Sequence, residues 1–373
     1  MRMLVLSIEY PPLGGGASPM IHEINKQFIH LGHEVTVVTM AFKGLPSFEV
    51  MDGIEVHRLH CFRLHKHISR LWEHIAYLVA ARKFLLEYIP QHHFDYCFTH
   101  FLVPTGILAK WLLTNFKIPY IITAHGSDIP GFNPDRFILH HHLTPPLLRS
   151  IIGSSTRIVA PSKYLRTMIM EIKGVTPDKL EHIPNGINTD DYLPGTKKPI
   201  LLSTGRLMAR KGFQYLIAAV ADEYFPFEVH ICGDGPMIHA LKEKARHSKT
   251  PVIFHGWINN KSQQYKTLLA EASVYCLVSA KENASISLLE AMSSGCAVIT
   301  SNVSGCPESV GDAGICIPPA DVAALKYELR RLVSSPDLME HYMREGRRRA
   351  INEFSWPAVA ERYLDLVNQK GPQ

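Results

Sequence analysis

The sequence of 373 residues lacks the features that mark several classes of protein. Its seven cysteines form no C-x-x-C pair and several lie within apolar runs, so no disulfide framework is expected. No run of about 18 uncharged apolar residues occurs, because the best candidate, 105–124, contains Lys110, Asn115 and Lys117. The apolar run at 3–8 is too short for a signal peptide. We therefore predict a cytoplasmic protein with no membrane-spanning segment.

Composition and charge exclude further classes. Hydrophobic residues make up 46% of the chain and charged residues 20%, which is typical of a globular protein and excludes a disordered one. The length predicts two domains. The net charge of +5 is modest, and we predict no nucleic-acid partner. Residues 1–185 hold 18 Lys and Arg against 14 Asp and Glu, which indicates an acidic partner for this half.

The N-terminal pattern predicts a strand, a glycine-rich turn, a helix at 21–31 and a second strand at 33–40. The turn does not match G-x-G-x-x-G, and no acid ends the second strand, so a dinucleotide is disfavoured. Gly14, Gly15 and Gly16 either let the backbone approach a ligand or form a tight strand-to-helix turn. Both interpretations stay open.

A histidine follows a predicted strand at 118–124. His125 and Gly126 come just past its carboxyl end, where open α/β sheets bind ligands. Asp128 is placed to orient the imidazole or to meet a ligand hydroxyl. A lone histidine is usually structural, and its position alone makes His125 a candidate.

The domain boundary is predicted at 185, where an Asn-Gly turn leads into a polar segment bounded by prolines. The second half then repeats the pattern of strands and helices. Its first strand, 200–206, runs into a loop that carries Arg206 and Lys211 before the next helix. Two cations in a strand-to-helix loop suit a diphosphate.

Two glutamates flank a helix start that follows the predicted strand 274–280. Small or polar residues at Asn283–Ser285 would leave the first N–H groups of the helix free for a phosphate oxygen. Glu282 and Glu290 could hold two parts of one ligand. The alternative is structural: Ser287 and Glu290 fit a capping box, and Glu282 could be a solvated loop acid.

A basic, aromatic-bearing region covers 58–83, with six Lys and Arg against the single acid Glu73. Two interpretations are open: an amphipathic helix on an anionic membrane surface, or a helix packed on the domain with a solvated basic face. Apolar residues keep roughly helical spacing at Leu71, Ile75, Leu78, Val79 and Leu86.

Five elements in order resemble the retaining glycosyltransferases of family 4, whose GT-B fold has two Rossmann-like α/β domains facing each other across a cleft. They are PNGI at 184–187, GRL with Lys211-Gly212, GDGP at 233–236, HGW at 255–257 and Glu282-x7-Glu290. The resemblance implies an acceptor-binding domain at 1–185 and a nucleotide-sugar-binding domain at 186–355. It also implies a C-terminal helix, 356–373, that packs back on the first domain.

The resemblance also implies roles in donor binding. Arg206 and Lys211 would bind the pyrophosphate, and N–H groups near Ser285 and Ile286 would meet the distal phosphate. Glu290 would hold the ribose hydroxyls.

Further roles concern the base, the sugar and closure over the donor. Backbone at Trp257 and Ile258 would contact the base, and Glu282 would bind the transferred sugar. His125 would lie beside the reacting carbon, and Gly15-Gly16 would let the first domain close over the phosphates.

The expected function is transfer of a sugar from a UDP- or GDP-linked donor to a hydroxyl of a glycolipid, lipid-linked oligosaccharide or envelope polysaccharide intermediate. No metal or other cofactor is expected, because the acid pair Asp190-Asp191 lies in the boundary segment. The protein would act in the cytoplasm, as a peripheral protein on the inner face of the membrane. Alternatives are a sugar-nucleotide epimerase, transfer to a small soluble acceptor, and a catalytically silent binding protein.

Overall fold

The structure is a computed structural model that describes residues 1–66, 69–126, 128–129, 145–280, 282 and 285–368. The strands in this part of the chain form two β-sheets. The first compact unit comprises Met1–Pro184 and the chain from Val359 onward, and the second comprises Asn185–Ala358. The division lies beside the predicted boundary at 185. The chain returns to the first unit at Val359, against the predicted 356.

The first unit contains an eight-stranded sheet of order β3-β4-β2-β1-β5-β6-β7-β8. Neighbouring strands are parallel except β3 and β4, which form an antiparallel pair at the edge. From β4 onward the order is that of a doubly wound fold, with the switch point between β1 and β5. The strands are β1 (Arg2–Leu6), β2 (Glu34–Met40), β3 (Phe48–Met51), β4 (Ile54–Leu59), β5 (Tyr96–His100), β6 (Tyr120–Thr123), β7 (Arg157–Ala160) and β8 (Leu180–His182).

Helices of the first unit pack one face on this sheet. In the helix Ala17–His30, Ile21, Ile24 and Phe28 are buried, which is the spacing of an amphipathic helix. The other helices in the described part of this unit are Leu71–Tyr88, Thr105–Phe116, Pro145–Ser154, Lys163–Met170 and Trp356–Asn368, which begins in the second unit, with 3₁₀ turns at Ile89–Gln91 and Pro177–Lys179.

Two of the six Lys and Arg side chains in the region 58–83 are buried, so the prediction that this region presents all six to a surface was partly wrong. Arg58 lies in β4 with its side chain buried, where it pairs with Glu49 and donates to the carbonyl of Pro11 at 2.7 Å. Arg63 is buried and donates to the carbonyl of Ile8 at 2.8 Å. These guanidiniums find partners on the polypeptide and are not available to a charged surface. Exposed basic residues of the region are Lys66, Arg70, Arg82 and Lys83.

The helix Leu71–Tyr88 has two apolar faces. Tyr77, Ala81 and Leu85 point inward and are fully buried. The opposite face is apolar as well but remains open to solvent, so the predicted apolar stripe is mostly an exterior feature. Its exposed side chains are Leu71 (45%), Trp72 (42%), Ile75 (53%), Val79 (67%) and Leu86 (50%).

A buried carboxylate fixes which face of this helix points inward. Glu73 is fully buried, and its two oxygens accept hydrogen bonds from the backbone N–H groups of Leu64 at 2.8 Å and Arg70 at 2.5 Å. A carboxylate buried without such donors would be costly. Glu73 therefore ties the start of the helix to the segment that precedes it.

The second unit contains a six-stranded parallel sheet of order β11-β10-β9-β12-β13-β14. This is the strand order of a Rossmann fold, with the switch point between β9 and β12. Ligands bind at such a point because the connections on either side of it diverge and leave a crevice. The strands are β9 (Lys198–Thr204), β10 (Glu228–Cys232), β11 (Val252–Gly256), β12 (Ala272–Leu277), β13 (Ala297–Ser301) and β14 (Ile315–Ile317).

Alternating side chains on the central strands supply two separate cores, one on each face of this sheet. On β9, Leu201 packs in one core with Phe213 and Ile217, whereas Leu202 packs in the other with Tyr275. Strands apolar on both faces read as continuous hydrophobic runs, which is why the sequence predicts them well. The helices are Phe213–Ala221, Ile238–Ala245, Gln263–Glu271, Ile286–Ser293, Cys306–Val310, Val322–Ser334 and Pro336–Phe354, with 3₁₀ turns at Thr189–Asp191, Ala209–Lys211 and Gly311–Ala313. None of the helices described in either unit is long and apolar enough to cross a membrane.

Candidate functional site

The loops that follow β9 and β12 are joined at the switch point of the second unit. The N–H of Ala280 donates to the carbonyl of Arg210 at 2.7 Å. Gly212, between Lys211 and the next helix, has a φ of +79° and packs against the carbonyl of Val278, where a Cβ would collide. Only glycine meets both requirements. The Lys211-Gly212 pair therefore holds the β9 loop closely against the β12 loop.

A cavity of about 690 Å³ opens at this point. It is lined by the loops that follow β9, β10 and β11 and by residues of the helices Gln263–Glu271 and Ile286–Ser293, all of which belong to the second unit. Six predicted site residues are among the lining residues: Arg206, Lys211, Trp257, Ile258, Ile286 and Glu290.

The two predicted diphosphate cations have different surroundings. Arg206 is exposed beside the cavity. Lys211 is mostly shielded from solvent, and its ammonium forms an ion pair with Glu282. The carboxylate of Glu282 also accepts a hydrogen bond from the hydroxyl of Ser279 at 2.8 Å. The interpretation of Glu282 as a solvated loop acid is wrong, because its side chain is only 11% exposed.

The helix Ile286–Ser293 begins at the cavity. Ser285 is its N-cap residue, and the Ser285 side chain makes no capping hydrogen bond to the first turn. N–H groups at a helix start carry partial positive charge and can bind an anion. The predicted residues Asn283 and Ala284 lie outside the described residues.

Glu290 lies inside this helix, so its interpretation as part of a capping box with Ser287 is wrong. Only 4% of Glu290 is exposed. One carboxylate oxygen, Oε1, accepts from the hydroxyl of Tyr192 at 3.0 Å, and the other, Oε2, accepts from that of Tyr265 at 2.8 Å. Burial raises the pKa of Glu290, and the two hydroxyls oppose that rise.

Two tyrosines at the site were missed by the sequence analysis. Tyr265 lines the cavity, and a hydroxyl relay extends from it through Thr204 (3.3 Å) to Tyr275 (2.8 Å). Tyr192 lies in the boundary segment, 98 residues from Glu290. In the sequence around each of these two residues, the only signal is a tyrosine at an apolar position. That signal does not show that the hydroxyl binds Glu290, which is distant in sequence.

In the first unit, His125 lies just past β6, as predicted. Its Nε2 is 3.2 Å from Nδ1 of His100, and the backbone N–H of His125 donates to Asp128 at 2.9 Å. Asp128 also accepts from the backbone N–H of Leu102 at 2.8 Å. The Asp128 carboxylate therefore binds backbone N–H groups, and the imidazole of His125 contacts His100 instead. His125 is half-buried, and the loss of hydration lowers the pKa of its imidazole.

The glycine-rich turn of the first unit is held by neighbouring chain. Gly14 has a φ of +101° and its N–H donates to the carbonyl of Lys66 at 2.8 Å, while Arg63 donates to that same carbonyl at 3.0 Å. The N–H of Gly15 donates to Glu9 at 3.0 Å, and Gly16 is the N-cap of the following helix. Gly14 has the backbone conformation that favours glycine. At Gly15 and Gly16, no described atom lies within 4 Å of a hypothetical Cβ, so the protein itself leaves room there.

The candidate residues thus form two sets. The second unit brings Arg206, Lys211, Glu282 and Glu290 together, and the first holds Gly15 and Gly16 before its first helix and His125 just past β6. In the part of the chain that the structure describes, no three His, Cys, Asp or Glu side chains gather as a metal site would require.

Two family models match the chain. Glycosyltransferase Family 4 matches residues 14–191, and Glycosyl transferases group 1 matches residues 198–335. This chain belongs to the family 4, group 1 glycosyltransferases. Their GT-B fold, with two Rossmann-like α/β domains, is the one described above, which confirms the predicted fold class.

Known proteins resemble this glycosyltransferase over nearly its whole length. Alpha-maltose-1-phosphate synthase of Mycobacterium tuberculosis is 26% identical and covers 99% of both chains. Alpha-monoglucosyldiacylglycerol synthase of Streptococcus pneumoniae is 24% identical over 98% of this chain and 86% of its own. Anabaena Alr3699/HepE, solved in complex with UDP, superposes with a TM-score of 0.74 at 16% identity, covering 99% of this chain and 100% of its own.

We predict that His125 is neutral at physiological pH and stays so in mild acid. Its pKa is lowered by burial, so protonation begins only well below the ordinary value of about 6.5. Histidine-labelled protein, followed by NMR from pH 8 to pH 5.5, should show no titration of the His125 ring, with His125→Asn providing the assignment. A His125 signal that titrates with a midpoint near 6.5 would contradict the burial of this ring.

Proposed function

We propose that this glycosyltransferase moves a sugar, with retention of anomeric configuration, from a UDP- or GDP-linked donor to an acceptor hydroxyl. The observation that carries the proposal is the cavity at the β9/β12 switch point, which combines two cations, a free helix start and a buried carboxylate. The cations and the helix start suit a diphosphate, and the carboxylate suits the hydroxyls of a ribose. Alr3699/HepE, which shares the fold, was solved with UDP.

The cations would act mainly on the transition state. As the bond between the anomeric carbon and the phosphate oxygen breaks, negative charge builds on the leaving diphosphate. Arg206 and Lys211, which line the cavity, would stabilise that charge, together with N–H groups near Ser285 and Ile286. Backbone at Trp257 and Ile258 would contact the base.

Retention would follow from transfer on one face of the sugar. The acceptor oxygen forms its bond to the anomeric carbon on the face from which the diphosphate leaves, and the acceptor proton passes to a leaving phosphate oxygen. Glu282 would hold hydroxyls of the sugar, and His125, kept neutral by burial, would accept or donate a hydrogen bond beside the reacting carbon. Gly15 and Gly16 would let the first unit close over the phosphates. We further propose that no metal takes part, because Arg206, Lys211 and the helix start already supply positive charge.

The acceptor is proposed to be a glycolipid, a lipid-linked oligosaccharide or an envelope polysaccharide intermediate. Alpha-monoglucosyldiacylglycerol synthase supports a lipid acceptor, whereas alpha-maltose-1-phosphate synthase keeps a small phosphorylated acceptor as the alternative. The exposed apolar face of the helix Leu71–Tyr88 favours the lipid.

We expect nucleoside diphosphate release from UDP- or GDP-sugars to depend on acceptor. Purified protein would be incubated with each labelled donor, with and without glycolipid and sugar-phosphate acceptors, in the presence and absence of chelator. NMR of the product would report its anomeric configuration. Conversion of the donor without acceptor would indicate an epimerase. A product of inverted anomeric configuration would refute retention. Activity that is lost in chelator and restored by manganese would refute metal independence.

We expect Glu282→Ala to lower kcat by at least about 100-fold, because it removes the proposed sugar ligand. Its affinity for the nucleoside diphosphate should be unchanged or higher, since Lys211 loses its ion-pair partner and becomes free for phosphate. Steady-state kinetics and calorimetry would measure the two effects, and Glu243→Ala, an exposed acid of the same unit, is the control. Unchanged kcat would remove Glu282 from the site, and a covalent sugar adduct on Glu282 would replace the proposed mechanism by a double displacement.

We also propose that the helix Leu71–Tyr88 docks on an anionic membrane surface. Five apolar side chains are exposed on its outer face, Phe62 and Leu64 beside it are 77% and 55% exposed, and Lys66, Arg70 and Lys83 add positive charge. Charge and apolar area together are the two signals that interfacial binding requires. This location would be the inner face of the cell membrane.

Flotation with vesicles tests this surface. Wild-type protein should float with vesicles containing anionic phospholipid at low salt, and Ile75→Asp with Val79→Asp should reduce the bound fraction by about tenfold, because two apolar contacts are lost and two negative charges are added. Tyr327→Asp, which changes an exposed ring in the second unit, should bind as wild type. Equal flotation of all three proteins, or none by wild type, would refute the membrane surface.

A further inference from the structure

We propose that Tyr192 and Tyr265 are positioning residues that orient the Glu290 carboxylate so that its remaining acceptor sites take the 2′- and 3′-hydroxyls of a ribose. The inference rests on the proposed donor site and adds to it the residues that select a ribonucleotide. It follows from the hydrogen bonds that surround one buried carboxylate.

The geometry leaves room for two more hydrogen bonds. An ionised carboxylate has about four acceptor sites. Each oxygen of Glu290 uses one of them, Oε1 for Tyr192 at 3.0 Å and Oε2 for Tyr265 at 2.8 Å. The carboxylate lines the cavity, so one site on each oxygen can serve the neighbouring hydroxyls of a ribose.

An ionised carboxylate can only accept, and this sets the direction of both hydrogen bonds to Glu290. Tyr265 can donate to Glu290 and accept from Thr204, which in turn accepts from Tyr275. Tyr192 is 3.0 Å from Glu290 and 3.4 Å from the carbonyl of Asn260, so its single proton favours the carboxylate. Both tyrosines therefore donate to Glu290, and the carboxylate is held as an acceptor.

The charge state of Glu290 decides whether it can bind a diol. A protonated carboxyl group loses acceptor capacity, and burial at 4% exposure favours that neutral form. Groups facing Glu290 from the neighbouring elements are the phenols of Tyr192, Tyr265 and Tyr275, whose pKa values are all raised by burial. Between pH 5 and 8 these phenols stay neutral, so Glu290 is the member of this hydrogen-bonded cluster whose charge can change in mild acid.

The sign of the pH effect follows. The two phenols stabilise the ionised carboxylate and so lower its pKa relative to burial alone. Removing one hydroxyl raises the pKa of Glu290, and a larger fraction is then protonated in mild acid. Loss of nucleotide binding on acidification should therefore begin at a higher pH in the variants than in wild type.

The experiment compares ribonucleotides with analogues that lack the diol. Calorimetry from pH 5 to 8 would measure the Kd of UDP, GDP and their 2′,3′-dideoxy forms for wild type, Tyr265→Phe, Tyr192→Phe and Glu290→Gln. We expect Tyr265→Phe to weaken the better ribonucleotide by about tenfold and to leave the dideoxy form within about twofold. Tyr192→Phe should act in the same direction, and Glu290→Gln should reduce ribonucleotide affinity at every pH. Tyr215→Phe, elsewhere in the second unit, is the matched control, and melting temperatures verify folding.

The outcomes separate this inference from the proposed function. If wild type binds neither UDP nor GDP, the proposed donor site fails and the inference fails with it. If wild type binds a ribonucleotide, but both phenylalanine variants keep its preference over the dideoxy form and its pH dependence, the positioning role alone is refuted. The positioning role is supported if the variants lose the preference for the ribonucleotide over its dideoxy form and lose affinity on acidification at a higher pH than wild type. A purely structural defect would weaken the binding of both nucleotides equally.

Discussion

The parallel strand order of the second sheet is the constraint on which the candidate site depends. With β9 between β10 and β12, the chain leaves β9 toward one face of the sheet and leaves β12 toward the other. The crevice between these connections brings together segments that are far apart in sequence. The Ala280 to Arg210 hydrogen bond and the packing of Gly212 on Val278 then hold the two loops together. These two backbone contacts flank Lys211 and set where its part of the β9 loop lies.

Within that crevice, the same residue type is stabilised in two different ways. Glu282 is compensated by the charge of Lys211, whereas Glu290 accepts hydrogen bonds from two neutral phenols, which bring no positive charge. Burying an ion pair gains little when both charges lose water, but pairing a carboxylate with hydroxyls leaves its charge available. Toward the proposed donor, an ionised Glu290 would attract hydrogen-bond donors and repel phosphate, while Arg206 would attract phosphate. In the proposed donor complex, these charges would place the ribose toward Glu290 and the phosphates toward the cations.

Sequence reasoning predicted the parts of the site whose signals are local. Strands of the second sheet are buried on both faces and form continuous apolar runs. Arg206, Lys211 and Glu282 lie in loops that follow such strands, and Glu290 lies inside the helix after the last of these loops. The hairpin of β3 and β4 was missed, because edge strands are short and carry polar residues. Tyr192 and Tyr265 were missed for another reason: their partner is defined by the fold, and nothing in the adjacent sequence distinguishes them from core aromatics.

In the helix Leu71–Tyr88, a buried polar group determines which face packs inward, because the hydrophobic periodicity does not. Both of its faces are apolar, so the pattern alone does not say which one is buried. Glu73 decides the matter, because its carboxylate must reach the N–H groups of Leu64 and Arg70. The segment it anchors contains Arg63, whose guanidinium holds the carbonyls of Ile8 and Lys66. One short stretch, residues 63–66, therefore contacts both the helix with the exposed apolar face and the glycine-rich turn. A displacement of residues 63–66 would shift both.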